Sequence, residues 1–253
     1  MSNATSSPFA LDGLTAIVTG ASKGIGRATA LRLARAGADV GLIARSETNL
    51  REVASLIEDA GQQAFVAPCD IRDIKALRDC FEHLPVPDVF INNAGRNQPQ
   101  HFLQVDREAF DAMLELNVRS AFFAAQSAAR RMRAADKTGV IVNLSSQAGH
   151  TALIKRSVYC ATKHAMEGMT KSMALELAPA IRVVSVAPTF VKTEMTQSFL
   201  ETDEYDQYMK AHLLTRQLAT VDDVANAVLY AASPAANMMT GTSLVLDGGW
   251  TAH

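Results

Sequence analysis

Apolar residues along this chain follow two alternating patterns. Short runs rich in β-branched residues are hydrophobic almost without interruption: TAIVTG (15–20), DVGLIAR (39–45), AFVAPCD (64–70), DVFINNAG (88–95), GVIVNLSS (139–146), RVVSVAP (182–188) and TSLVLDGG (242–249). A strand reads this way when both faces of its sheet are covered, as in a parallel sheet under helices. Between the runs lie longer stretches with apolar residues at helical spacing, such as GRATALRLARAG, where positions 28, 31, 33 and 34 share one side. Strand and helix alternate over nearly the whole length, which predicts a doubly wound α/β sheet with helices on both faces. No repeat, low-complexity tract or linker interrupts the pattern, so residues 12–253 are expected to form one domain after a disordered polar tail, 1–11. The stretch from about 190 to 218, including FLETDEYDQYMKAHLLTRQL, stands outside the alternation. It is polar, helical in character and long for a connection, which suits a lid over a site.

Charge and composition narrow the partners. A formal net charge of -2 gives no electrostatic case for nucleic acid or an anionic membrane. No apolar run reaches the roughly 18 residues of a membrane-spanning helix. The opening MSNATSSPFAL lacks the basic and apolar regions of a secretory leader, so a cytoplasmic protein is expected. Cys69, Cys80 and Cys160 make neither a disulfide framework nor a C-x-x-C pair, which agrees with a reducing compartment. The histidines show no metal-ligand spacing.

Candidate chemistry sits where strands end. The first strand runs into TGASKGIG (19–26) and then into a helix. Gly20, Gly24 and Gly26 let the backbone turn tightly and approach a ligand, and the helix points its free N–H groups at that space, which suits a pyrophosphate. The spacing is G-x-x-x-G-x-G, looser than the usual dinucleotide fingerprint, and its position between first strand and first helix is what strengthens it. After the second strand, where an NAD site would carry a carboxylate, stand Ala44 and Arg45. Arg45, with Lys23 in the glycine loop, suits a 2′-phosphate, so NADP(H) is expected in preference to NAD(H). Further along, SVYCATKHAM (157–166) places Tyr159 and Lys163 four residues apart on one helix face. A cation beside a phenol favours the phenolate and makes the phenol a usable proton donor.

Taken together, these motifs resemble the short-chain dehydrogenase/reductase family over residues 12–250, with NNAG at 92–95, Asp70 in "CDI", Asn117, Ser145 and the Tyr159/Lys163 pair in the family's order. The resemblance implies a Rossmann-type sheet of about seven strands in the order 3-2-1-4-5-6-7 and a homo-tetramer. It implies that Tyr159 is the general acid of carbonyl reduction and the general base of alcohol oxidation. Lys163 would lower the Tyr159 pKa and bind the nicotinamide ribose, Ser145 would hold the substrate oxygen, and Asn117 would anchor a water that relays protons. Nucleotide contacts are implied at Gly20, Ser22, Lys23, Gly24, Ile25 and Gly26, at Arg45, Asp70 and Ile71, at Asn93, Ala94 and Gly95, and at Tyr159, Lys163, Val191 and Thr193. Two departures stand out: Thr189 follows Pro188 where the family usually has glycine, and Val184 replaces a frequent Asn.

Residues following the motifs are candidates to read the substrate: Asn97 and Arg96 after NNAG, Gln147 and His150 after Ser145, and Arg156. His150 reads as a loop residue or substrate hydrogen-bonder rather than a second acid/base. The expected activity is an NADP(H)-dependent oxidoreductase of a ketone or 3-oxoacyl substrate. A sugar, sugar-acid or polyol dehydrogenase is the alternative, and a catalytically silent dinucleotide sensor is the reading from a different class. Phe122, Phe123, Met166 and Met169, beyond a single core stripe, either serve subunit contacts or belong to the core.

Overall fold

The computed structural model of the chain describes residues 7–192 and 203–252. Seven strands pair in parallel: β1 (Thr15–Thr19), β2 (Asp39–Ala44), β3 (Ala64–Pro68), β4 (Val89–Asn92), β5 (Gly139–Leu144), β6 (Ile181–Pro188) and, after two short strands, β9 (Thr242–Leu246). Their order across the sheet is β3-β2-β1-β4-β5-β6-β9, so the expected order is borne out with β9 as the last of the seven. Each predicted strand window coincides with one of these strands, β6 beginning one residue before its window. The helices are α1 (Gly24–Arg35), α2 (Glu47–Glu58), α3 (Ile74–His83), α4 (Arg107–Leu114), α5 (Ala121–Ala134), α6 (Ser157–Leu177), α7 (Asp203–His212) and α8 (Val221–Ala232).

The unbroken apolar runs have the cause expected of them. Within β1, Ala16 and Val18 enter a core with Leu33 of α1, Leu50 of α2 and Val228 of α8, while Ile17 enters the opposite one. That second core gathers Leu77 and Phe81 of α3, the alanines of α5 and Ala174 of α6. Ala124, Ala125 and Ala128 are almost wholly buried, and their small side chains let α5 lie close against the sheet. Met166 is 2% exposed and belongs to the interior, whereas Phe122 is 41% exposed.

The tail expectation is corrected from residue 7 onward. Leu11 is fully buried and its N–H donates to the Ala36 carbonyl at 2.7 Å, and Ala235 N–H donates to the Pro8 carbonyl at 3.0 Å. An apolar Leu at the edge of the α1–α8 layer is enough to tie this segment down. Residues 1–6 lie outside the described part.

Only part of the 190–218 stretch is described. Its helix α7 docks on Trp250 through Met209, joined by Leu213 just beyond the helix, and the His212 ring stacks on the Trp250 ring at 4.6 Å between centroids. Gly248 and Gly249 adopt positive φ (61° and 86°) below it, and a Cβ on either would meet Leu213, Leu214 or Thr215 at under 3.0 Å. Strand β7 (Val191–Lys192) pairs with β8 (Ala219–Thr220), which brackets the segment.

Candidate active site

The carboxyl ends of β1 to β6 deliver the candidate residues to one edge of the sheet, where a doubly wound fold leaves its crevice. The loop after β1 is held by side chains from the neighbouring strand end. Asn93 donates through Nδ2 to the Thr19 carbonyl at 2.8 Å, and the Asn93 and Ala94 N–H groups both donate to Thr19 Oγ1. Gly20 has a φ of 67°, and Gly26 admits no side chain, since its Cβ would stand 2.2 Å from the Gly20 carbonyl oxygen. Gly24, by contrast, has open space where a Cβ would be. Helices α2, α3, α4 and α8 each begin with a side-chain cap, from Ser46, Asp73, Asp106 and Thr220. The residue before α1 is Lys23, which supplies none, so the first N–H groups of α1 are left to face the glycine loop. An open cradle with uncapped donors and no carboxylate fits a pyrophosphate. Ser22 and Ile25 are half-buried in this loop.

The crevice edge where β2 and β3 end carries one more cation than the motifs indicate, Arg72. Asp70, after β3, is clasped by Arg72: its carboxylate accepts from Arg72 Nη2 at 2.6 Å and Nε at 3.0 Å. The Arg72 hydrogen bonds hold the Asp70 carboxyl below its ordinary range, with the Arg45 charge adding to the effect. The motifs do not single out Arg72, although a cation two residues past Asp70 is the available signal. Lys23 and Arg45 are exposed and make no ion pair among the described residues. Ile71 is buried in the second core. Val191 is buried on β7, and Thr193 lies outside the described residues.

Asn117 sits in a π-helical stretch, Glu115–Ser120, between α4 and α5. Its amide is fully used: Nδ2 donates to the Arg96 carbonyl at 2.8 Å and to Thr162 Oγ1 at 3.2 Å, and Oδ1 accepts from Arg96 N–H at 2.9 Å. It thereby joins the loop after β4 to α6, and a Cβ on Gly95 would crowd its Oδ1 at 3.3 Å.

Tyr159 and Lys163 lie on the inner face of α6. Lys163 is 7% exposed; its Nζ donates to the Leu144 carbonyl at 2.7 Å and stands 5.7 Å from the centre of the Tyr159 ring. Burial pushes the Lys163 ammonium down to about 8, opposed by the Glu167 carboxylate. The phenol differs from expectation. Burial raises the Tyr159 pKa above its ordinary value, outweighing a hydrogen bond with Ser146 and the nearby Arg156 charge. In a half-dry site the cost of forming phenolate exceeds what the surrounding dipoles return. Tyr159 therefore keeps its proton at neutral pH, the form in which a general acid starts.

Around this pair several polar atoms are buried without a hydrogen-bond partner among the described residues: Ser145 Oγ, both amide atoms of Gln147, Thr189 Oγ1 and Asn97 Oδ1. Ser145, Gln147 and Thr189 follow the ends of adjacent strands, joined by Ser145 N–H to the Val186 carbonyl at 2.9 Å. Thr189 takes no positive φ, and its N–H donates to the Leu246 carbonyl at 2.9 Å, so the missing glycine causes no backbone strain. Val184 is simply core. The structure does not leave His150 free for a substrate: its Nε2 is 3.0 Å from Ser243 Oγ and 3.3 Å from Glu167 Oε1. Arg96 is exposed and bonded to Gln98.

Residues 20–251 match the family described as enoyl-(acyl carrier protein) reductase. The chain is 39% identical over 241 residues to the L-xylulose reductase of Mesocricetus auratus, covering 95% of this chain and 97% of that protein. It is 38% identical over 240 residues to the D-erythrulose reductase of Gallus gallus, covering 94% and 96%. A gluconate 5-dehydrogenase from Burkholderia cenocepacia J2315, solved with NADP and tartrate, superposes with a TM-score of 0.93 at 28% identity, covering 97% of this chain and 98% of that one. Likeness of this depth along nearly the whole of both chains is kinship, and the chain belongs to the short-chain dehydrogenase/reductase family of NAD(P)-dependent oxidoreductases acting on CH–OH and C=O groups.

Proposed function

We propose that the protein reduces a polyhydroxylated ketone, a ketose or related sugar carbonyl, with NADP(H), and that Tyr159 donates the proton. The observation carrying this reading is the set of buried unpartnered polar atoms beside Ser145, above all the Gln147 side chain, which is 1% exposed with neither amide atom paired. An apolar ketone or acyl chain would leave such groups unsatisfied at roughly 1–3 kcal/mol each, whereas substrate hydroxyls pair them. This moves the preference from the ketone or 3-oxoacyl substrate to the sugar alternative. The likeness to an L-xylulose reductase and a D-erythrulose reductase supports the same direction.

The nicotinamide cofactor supplies the hydride when bound. Ser145 Oγ, buried and without another partner among the described residues, holds the carbonyl oxygen. Tyr159 delivers its proton to that oxygen as negative charge develops there, and Lys163, as ammonium, stabilises the phenolate left behind. Asn117 holds the loop after β4 against α6, which keeps the nicotinamide side of the crevice in register. We further read the 190–218 segment as a lid, its described helix α7 resting on Trp250, and the apolar surface of α4 and α5, with Phe110 43% and Phe122 41% exposed, as a subunit contact in a homo-tetramer. Free thiols at Cys69, Cys80 and Cys160 support a cytoplasmic setting; among the described residues no helix is long and apolar enough to cross a membrane.

A panel of ketopentoses and ketotetroses, simple ketones and 3-oxoacyl thioesters, each run with NADPH, tests the substrate class. Ketoses are expected to lead in kcat/KM. Gln147→Leu is expected to lower kcat/KM for the best ketose by about tenfold or more while sparing a simple ketone, since it removes a hydroxyl partner only. A wild type that prefers oxoacyl thioesters would overturn the assignment, and nucleotide binding without turnover anywhere would favour a sensor.

The cofactor preference has its own test. Arg45→Asp places a carboxylate where a ribose 2′-OH is favoured and a 2′-phosphate repelled. By fluorescence titration NADPH is expected to bind at least tenfold more weakly, about 1.4 kcal/mol, and NADH more tightly. Equal binding of both by the wild type would contradict Lys23 and Arg45 as phosphate readers.

A further inference from the structure

One turn beyond Lys163, α6 carries a second ionisable group to which the proton transfer above gives no part. Glu167 is 7% exposed, and an ionised carboxylate so buried needs donors around it. Donors converge on it from three elements. Ser185 Oγ of β6 donates to Oε2 at 2.8 Å, Ser243 Oγ of β9 reaches Oε1 at 3.5 Å, and His150 Nε2, from the loop after β5, lies 3.3 Å from Oε1. Backbone closes the remaining side. A Cβ on Gly149 would stand 2.9 Å from the Lys163 carbonyl oxygen, 3.0 Å from Glu167 Cγ and 3.0 Å from Ser145 Oγ. Only a glycine therefore lets the Ser145 loop pack against the Lys163–Glu167 turn.

The charges in this neighbourhood are few. On its own helix Lys163 has Tyr159 one turn before it and Glu167 one turn after. From β5 it meets the neutral Leu144 carbonyl, and beside it the π-helical stretch presents the neutral Asn117, bonded to Thr162. Glu167 meets the neutral hydroxyls of Ser185 and Ser243 and the ring of His150. Residues four apart on a helix face are neighbours, so the Glu167 charge lies one turn from the Lys163 ammonium and acts on it through its field rather than through an ion-pair contact.

We propose that Glu167 is a positioning residue for the Tyr159–Lys163 pair: its carboxylate, clamped by Ser185, Ser243 and His150, keeps Lys163 in the ammonium form. The inference rests on the reading that this pair carries the proton chemistry. His150, whose ring shields the carboxylate from water, acts in the clamp and not on the substrate. The ammonium exists below the Lys163 pKa. Burial alone drives that pKa down and the Glu167 charge holds it up to about 8, so losing the charge empties the ammonium at lower pH.

Two readouts test this, one of them without turnover. Competitive acetylation of Lys163 by acetic anhydride across pH, read by peptide mass spectrometry, reports its titration directly. The wild-type midpoint is expected near 8. Glu167→Gln is expected to lower it by roughly one pH unit, the scale of a nearby opposite charge, and to move the alkaline limb of kcat/KM the same way. Glu167→Asp, which keeps the charge, is expected to restore most of both. His150→Asn, at an exposed position, admits water to the carboxylate and is expected to give a smaller shift in the same direction. Should Glu167→Gln fail to fold, His150→Asn decides alone. Coincident midpoints in wild type and variant overturn the inference and leave the role of Tyr159 standing. A shifted midpoint in a protein that turns over no carbonyl supports the inference about Glu167 and overturns the proposed reaction instead.

Discussion

Tyr159→Phe is expected to lower kcat/KM for the preferred ketose by about 10³-fold, within the usual worth of a positioned general acid. NADPH affinity is expected to change little. The substitution removes one hydroxyl and keeps the ring, which stands 5.7 Å from Lys163 Nζ and packs in a half-buried position. With the hydroxyl gone, hydride transfer must build charge on the substrate oxygen with Ser145 and solvent as the remaining donors. The raised pKa of the phenol sharpens the expectation, because Tyr159 holds its proton throughout the neutral range and the loss should be nearly independent of pH below about 8. Retention of more than about a tenth of wild-type turnover would remove Tyr159 from the mechanism.

Lys163→Met is expected to lose activity on a similar scale and, unusually, to raise stability. Met matches the length of the lysine stem and leaves no charge to bury. The fall of Lys163 from 10.5 to about 8 corresponds to ~3 kcal/mol of opposition to the charged form in the folded protein. Because the folded value lies below the unfolded one and the group is a base, this cost is full below about pH 8 and fades as pH rises toward 10.5. Against it stands the Leu144 carbonyl, which loses its donor at about 1 kcal/mol, while the attraction of Glu167 is already contained in the value of about 8. The balance is about 1–2 kcal/mol in favour of the variant near pH 7, or a few degrees in Tm for a chain of this size. Thermal melts across pH check the sign: wild type should close the gap with the variant between pH 8 and 10.5. A variant that melts below wild type at every pH would show that Lys163 is not held against its charge preference.

Glu167 marks the boundary of what motif reading reaches. Its neighbour Lys163 was visible in the Tyr-x-x-x-Lys spacing, and an acid one turn later was a local signal of the same kind. Its three donors were not visible, since Ser185 lies 18 residues away, and Ser243 lies 76 residues from Glu167 and 93 from His150. His150 was legible as a polar residue after Ser145, and its proximity to the motif suggested the substrate. Only the tertiary placing of the loop after β5 beside Ser243 of β9 and Glu167 of α6 turns its ring to a carboxylate instead. The Tyr159 pKa shows the same limit. The spacing points to the Lys163 charge, but the direction is set by how much water the fold removes, with the Ser146 hydrogen bond and the Arg156 charge opposing it.

The chain by itself determined the sheet, its strand order through kinship, the glycine loop and the order of the candidate residues along the strand ends. These follow from short-range causes: strands buried on both faces need continuous apolar runs, and a backbone that admits no Cβ between Gly20 and Gly26 needs glycine. Tertiary structure decided which polar atoms are left without partners, which charges share a dry environment, and that Leu11 belongs to the core and not to a tail. Those depend on desolvation and on contacts between distant segments, and no window of sequence contains both partners of such a contact.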